Sequence, residues 1–147
     1  MDTGATDKLI RQYEQILSQR QERFSSDSFF SGAKYMLEKA LLEEIAHVHE
    51  PVRAESLQAM YIALASFVPQ KDYDLIQQCR RRGEQDREFQ QVLDLVALGD
   101  HETIQKELEA RGIPELVRYY ALYRRILRET EARRKQALSV QSLNSDT

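Results

Sequence analysis

Residues 86–112, DREFQQVLDLVALGDHETIQKELEARG, decide the fold class. Phe89, Val92, Leu93 and Val96 recur at spacings of three and four, which gathers them on one face of a helix and scatters them over both faces of a strand. Gly99-Asp100 breaks the pattern. A glycine there can end one helix in the left-handed conformation, and an aspartate can cap the next at once. Ile104 and Leu108 resume the helical spacing until Gly112. The stretch Val92–Ala110 has the form of one helical-repeat hairpin, but no second copy occurs at the spacing of known repeats.

The same periodicity extends in both directions. Pro114 suits the first turn of a long helix reaching about Ala137, with Leu116, Tyr119, Tyr120, Tyr123, Ile126 and Leu127 on one face. Upstream, Asp72 caps a short helix ending at Gly83, and Glu50-Pro51 opens one that runs to Val68 before Pro69. Ser25-Ser26-Asp27 supplies capping oxygens for a helix over 27–49, whose apolar stripe includes Phe29, Phe30, Met36, Leu37, Leu41 and Ile45. Residues 6–24 form another amphipathic helix. No strand-like alternation occurs. The expectation is an all-α fold, a compact single-domain bundle of about six to seven helices over residues 1–137, followed by a flexible C-terminal tail at 138–147.

Composition narrows the function classes. The chain has 147 residues, 41% hydrophobic and 31% charged, with a net charge of −3. That balance suits a globular domain and gives no overall attraction to nucleic acid or to an anionic membrane. The longest apolar run, Ala59–Val68, is interrupted by Ser66 and falls far short of the ~20 residues a membrane span needs. Cys79 is the lone cysteine, so an internal disulfide and a cysteine-based zinc site are both impossible within one chain. With no basic-then-apolar leader at the N-terminus, these features predict a soluble, cytoplasmic protein. Sign is uneven along the chain. Residues 83–113 carry eight acidic and three basic side chains (−5), and 114–138 carry seven basic and three acidic ones (+4). Such a dipole either holds two segments of the fold together or faces a partner.

Glu44 is the oddly placed carboxylate. At helical spacing it falls among Leu37, Leu41 and Val48, where an ionised group needs a partner. Arg20, on the apolar face of the first helix, is the expected partner in a buried Arg20–Glu44 pair, with Arg124 and Arg134 as alternatives. Glu44 and His47 also form a Glu-x-x-His pair, half of the ligand set of a carboxylate-bridged metal centre. The other half would have to come from a homodimer.

Cys79 sits beside Arg80, Arg81 and Arg82, yet it follows Leu75 and Ile76 on the buried side and reads as a packed, inert thiol. The arginines of the last helix could contact phosphate, making a nucleic-acid regulator a further alternative. Interleaved acidic residues and the lack of a placeable recognition helix disfavour it. There is no glycine-rich phosphate loop and no nucleophile elbow, and no catalytic residue or cofactor is assigned. The expected function is a small protein–protein interaction module, an adaptor, chaperone-like or regulatory protein. It contacts a partner or itself through the last helix, at Arg118, Tyr119, Tyr123, Arg125 and Arg128.

Overall fold

The computed structural model describes residues 3–22 and 27–145, and of these the side chains at 3, 19–22, 27–30 and 143–145 lie outside the description. The fold is all-α. Among the described residues there are seven α-helices: α1 (Thr3–Glu22), α2 (Asp27–His47), α3 (Pro51–Ala63), α4 (Gln70–Gln85), α5 (Arg87–Leu98), α6 (His101–Arg111) and α7 (Pro114–Ser145). No described helix is long and apolar enough to cross a membrane. The helices group into two compact units, one formed by residues up to Gln70 together with those from Ile126, the other by Lys71–Arg125.

The first unit is built on α2. Leu37, Leu41 and Ile45, each one turn from the next, enter a core with Leu9 and Ile16 of α1 and Leu57 and Tyr61 of α3. Met36, expected in that stripe, is 68% exposed instead. The expected capping at Ser25 and Ser26 lies outside the described residues. Pro51 opens α3 as expected, and the cap is Glu50 itself, whose two carboxylate oxygens accept from the amides of Val52 and Arg53 at 3.2 and 2.9 Å. α3 stops earlier than Val68. Its last turn tightens to a 3-10 turn at Leu64–Ser66 and Phe67 is extended, because the approach to Pro69 disfavours α geometry.

The last helix is longer than its sequence suggests. α7 continues past Ala137 to Ser145, and Arg133, Ala137 and Val140 follow one another at helical spacing onto the first unit. Ala137 is 1% exposed, Val140 packs against the core, and the Gln58 side-chain amide donates to Gln141 at 3.4 Å. A Ser-, Asn- and Gln-rich composition hid one apolar side chain that packs against this core. Deleting residues 138–147 is therefore expected to lower stability by about 1–2 kcal/mol, read as a lower urea midpoint. An unchanged midpoint would show that Val140 contributes nothing.

In the second unit, Asp86 caps α5 by accepting from the amides of Glu88 and Phe89, and Asp100 caps α6 by accepting from Thr103 at 2.8 Å. Gly112 closes α6 in the left-handed conformation at φ 61°. Two other glycines act differently from expectation. Gly99 is extended rather than left-handed (φ −87°, ψ 169°), and a Cβ there would sit 2.8 Å from the Leu95 carbonyl oxygen. Gly83 does not end α4, which runs on to Gln85. It is buried against α5, where a Cβ would meet Gln90 Oε1 and, at 3.0 Å, Leu93 Cδ1. At Gly99 the clash is with backbone and leaves no room for a side chain, whereas at Gly83 the nearest atom is the end of the Gln90 side chain, which can swing aside. The core they border holds Cys79, Phe89, Val92, Val96, Ile104, Leu108, Leu116 and Tyr120.

Candidate functional site

Glu44 is half-buried, and Thr6, a buried hydroxyl of α1, donates to its Oε1 at 3.2 Å. The Arg20 side chain lies outside the described residues. Of the alternatives, Arg124 donates to His101 Nδ1 at 3.1 Å and Arg134 to Glu131 at 3.4 Å. The Glu44 carboxylate opens on a cavity of about 290 Å³ that His47, Val48, His49, Glu50 and Arg53 also line. His47 and Glu44 thus share a wall, but Glu50 is engaged as the α3 cap. No three His, Cys, Asp or Glu side chains among the described residues come together as a metal site.

A closely enclosed charged pair stands elsewhere in this unit. Arg133 of α7, 13% exposed, donates to Glu38 of α2, 17% exposed, with Lys34 3.7 Å from the same carboxylate and Glu129 3.7 Å from Arg133. The guanidinium lies 5.9 Å from the centre of the Tyr61 ring. Burial pushes the Lys34 ammonium below the ordinary lysine range, with Glu38 opposing that shift and Arg133 adding to it.

In the second unit α4 and α7 run antiparallel. Arg125 donates to Asp72 at 2.9 Å near one end of the pairing, and Arg82 lies 4.0 Å from Glu115 near the other. This register sets Cys79 opposite Arg118. The thiol is 2% exposed, and burial, then Glu115, raise its pKa despite the nearby Arg82 and Arg118. Tyr119 and Tyr123 stack with centroids 6.4 Å apart, half-buried against the core. Burial also raises the Tyr119 phenol, with Arg80 close enough to oppose it. Of the expected contact residues, Arg118 is 66% exposed and shares Glu115 with Arg82, whereas Arg125 is engaged with Asp72. Arg128 is exposed, on the part of α7 that belongs to the first unit.

One cluster gave no signal in the sequence. The Tyr120 hydroxyl and Arg124 Nη1 both meet His101 Nδ1, at 2.6 and 3.1 Å, with the two rings stacked 5.8 Å apart. Two donors on Nδ1 call for the tautomer that carries its proton on Nε2. His101 therefore ties the start of α6 to α7.

No protein-family model, curated protein or solved structure matches this chain. Its own geometry is the only guide to its role.

The raised groups have a consequence for stability. Cys79, Tyr13, Tyr61 and Tyr119 are all held above their ordinary values of 9.0 and 10.0 by burial. On unfolding they release protons at lower pH than in the fold, so the stability they contribute is complete below about pH 9 and is lost as pH rises beyond. Lys34, held low, acts in the opposite sense over the same range, one group against four. The urea midpoint is expected to fall between about pH 8.5 and 10.5. A flat or rising midpoint would contradict this.

Proposed function

We propose that this protein is an interaction module that contacts a protein partner, or a second copy of itself, through the face formed by the end of α4 and the start of α7. The observation that carries this reading is the fate of the charge asymmetry. The ion pairs of bases in 114–138 run to acids outside 83–113: Arg118 meets Glu115, Arg125 meets Asp72, Arg133 meets Glu38 and Glu129, and Arg134 meets Glu131. These pairs do not draw on the acids of 83–113, which supports an outward use of the asymmetry. Arg80, Arg81 and Arg118 are exposed, and a stacked tyrosine pair stands on the same stretch of α7 as Arg118. Arginine and tyrosine are the residue types most enriched at contact surfaces. A buried, unpaired thiol supports a reducing, cytoplasmic setting.

The test is the pair Arg80→Glu and Arg118→Glu made together. Both side chains are exposed, so helicity and thermal midpoint are expected to stay as in wild type, while self-association by light scattering or recovery of a partner from lysate is lost. Unchanged association in the folded variant would rule this face out.

A further inference from the structure

We infer that the second half of α7 pairs with the same helix of a second copy of this chain, antiparallel, along the stripe Leu127, Glu131, Arg134 and Leu138. All four residues belong to the first unit. Leu127 and Leu138 are 52% and 57% exposed, and the side chains of Glu131 and Arg134 are 53% and 55% exposed. Leu127 is thus turned outward, against the expectation that it shares an inner face with Leu116 and Tyr120. Successive spacings of four, three and four residues keep the stripe in one line, the seam pattern of a coiled coil, about 16 Å from end to end. The docked face of α7, with Arg133, Ala137 and Val140, lies about 120° round the helix, so packing against its own unit leaves the stripe open.

The order of the four residues selects the occupant. Leu127 and Leu138 are centred on the same point as Glu131 and Arg134, between Ala132 and Arg133. An isologous contact with its two-fold axis through that point sets Leu127 opposite the partner's Leu138 and Glu131 opposite the partner's Arg134. Each contact occurs twice, leucine on leucine at both ends and two Glu–Arg pairs between them. Glu131 and Arg134 already meet at 3.4 Å within one helix, so the pair of helices forms a ring of four charges in which every charge has opposite neighbours. A parallel pairing would set like charge on like.

The contact is small. Four side chains a copy fall well short of the ~800 Å² per partner of a stable complex, and the same axis brings Arg128 and Lys135, exposed along one edge of the stripe, toward their counterparts. The pairing is therefore weak and reversible. It is also separate from the face formed by α4 and the start of α7, which belongs to the second unit. Pairing of copies here leaves that face to a partner of another sequence. The Arg80→Glu, Arg118→Glu variant should then lose the lysate partner and keep the dimer.

The experiment is sedimentation equilibrium of the full chain from about 10 µM to about 1 mM, the range in which contacts of this size assemble. Wild type is expected to approach a dimer as concentration rises. Leu127→Ser with Leu138→Ser should weaken the dimer at least about tenfold, with circular dichroism and thermal midpoint near wild type because both leucines are exposed. Glu131→Arg and Arg134→Glu, at side chains more than half exposed, test the same stripe without touching an apolar residue. Each alone should weaken self-pairing, an equimolar mixture of the two variants should restore a dimer, and both changes in one chain should restore it as well. A monomer throughout, or a dimer that the leucine changes and the single reversals leave unaltered, would overturn the proposal. A dimer lost in the Arg80→Glu, Arg118→Glu variant would also overturn it, and would assign self-pairing to the α4–α7 face instead.

Discussion

Arg133→Met is expected to destabilise the protein by about 2–4 kcal/mol, although methionine keeps much of the buried volume. The loss comes from Glu38, which at 17% exposure would retain only Lys34, 3.7 Å away. Glu129 would lose its contact too, and Tyr61 would lose the cation beside its ring. Removing one member of a poorly hydrated pair costs more than the pair contributes, because the survivor's charge is stranded. Glu38→Gln combined with Arg133→Met should cost at least about 1 kcal/mol less than the sum of the single changes, since the second substitution removes the stranded charge. Arg134→Met is the control. Its partner Glu131 is on the same helix, both side chains are more than half exposed, and the expected cost is under about 0.5 kcal/mol. Equal effects at 133 and 134 in urea unfolding would mean that burial of the first pair has no energetic weight.

Leu116→Ala is expected to cost about 3–4 kcal/mol, near the middle of the range for a leucine removed from a closed core. Leu116 is 0% exposed, in the cluster that holds Cys79, Phe89 and Tyr120. The truncated side chain leaves a cavity, and the contacts that hold α4 and α7, the 2.9 Å Asp72–Arg125 pair among them, limit how far the helices close on it. Cys79 provides an internal reporter. At 2% exposure and with its thiol held protonated, it reacts with a thiol reagent only when the unit opens. A loss of about 3 kcal/mol should speed that reaction about a hundredfold at unchanged reagent concentration. Reaction at the wild-type rate would show that Leu116 and Cys79 do not share a cooperative core.

Much of the fold was legible because helices are local objects. The stripes in α5 and α6, the caps at Asp86 and Asp100 and the end of α6 at Gly112 each depend on residues a few positions apart and stand where the spacing placed them, while the left-handed turn expected at Gly99 is found at Gly112. Cys79 reads correctly as buried for the same reason. The charged site in the first unit was not legible. The buried face of α2 centres on Leu41, and Glu38 and Glu44 stand about 60° to either side of it, so spacing within the helix does not say which carboxylate a neighbouring helix will meet. Met36 faces outward, and nothing within the helix reveals that.

Sequence alone determined that the chain is helical, where most helices begin and end, and which residues share a face. Tertiary structure decided that Glu38 meets the enclosed Arg133, that Arg125 is engaged by Asp72, that Val140 docks the end of α7, and that Gly83 and Gly99 are close approaches. The physical reason is one of range. A period of 3.6 residues fixes which side chains stand together on one helix, but an apolar stripe can rotate by tens of degrees against its neighbour at little local cost. Glu38 and Arg133 are 95 residues apart, and which charge finds which partner is settled only when those helices pack.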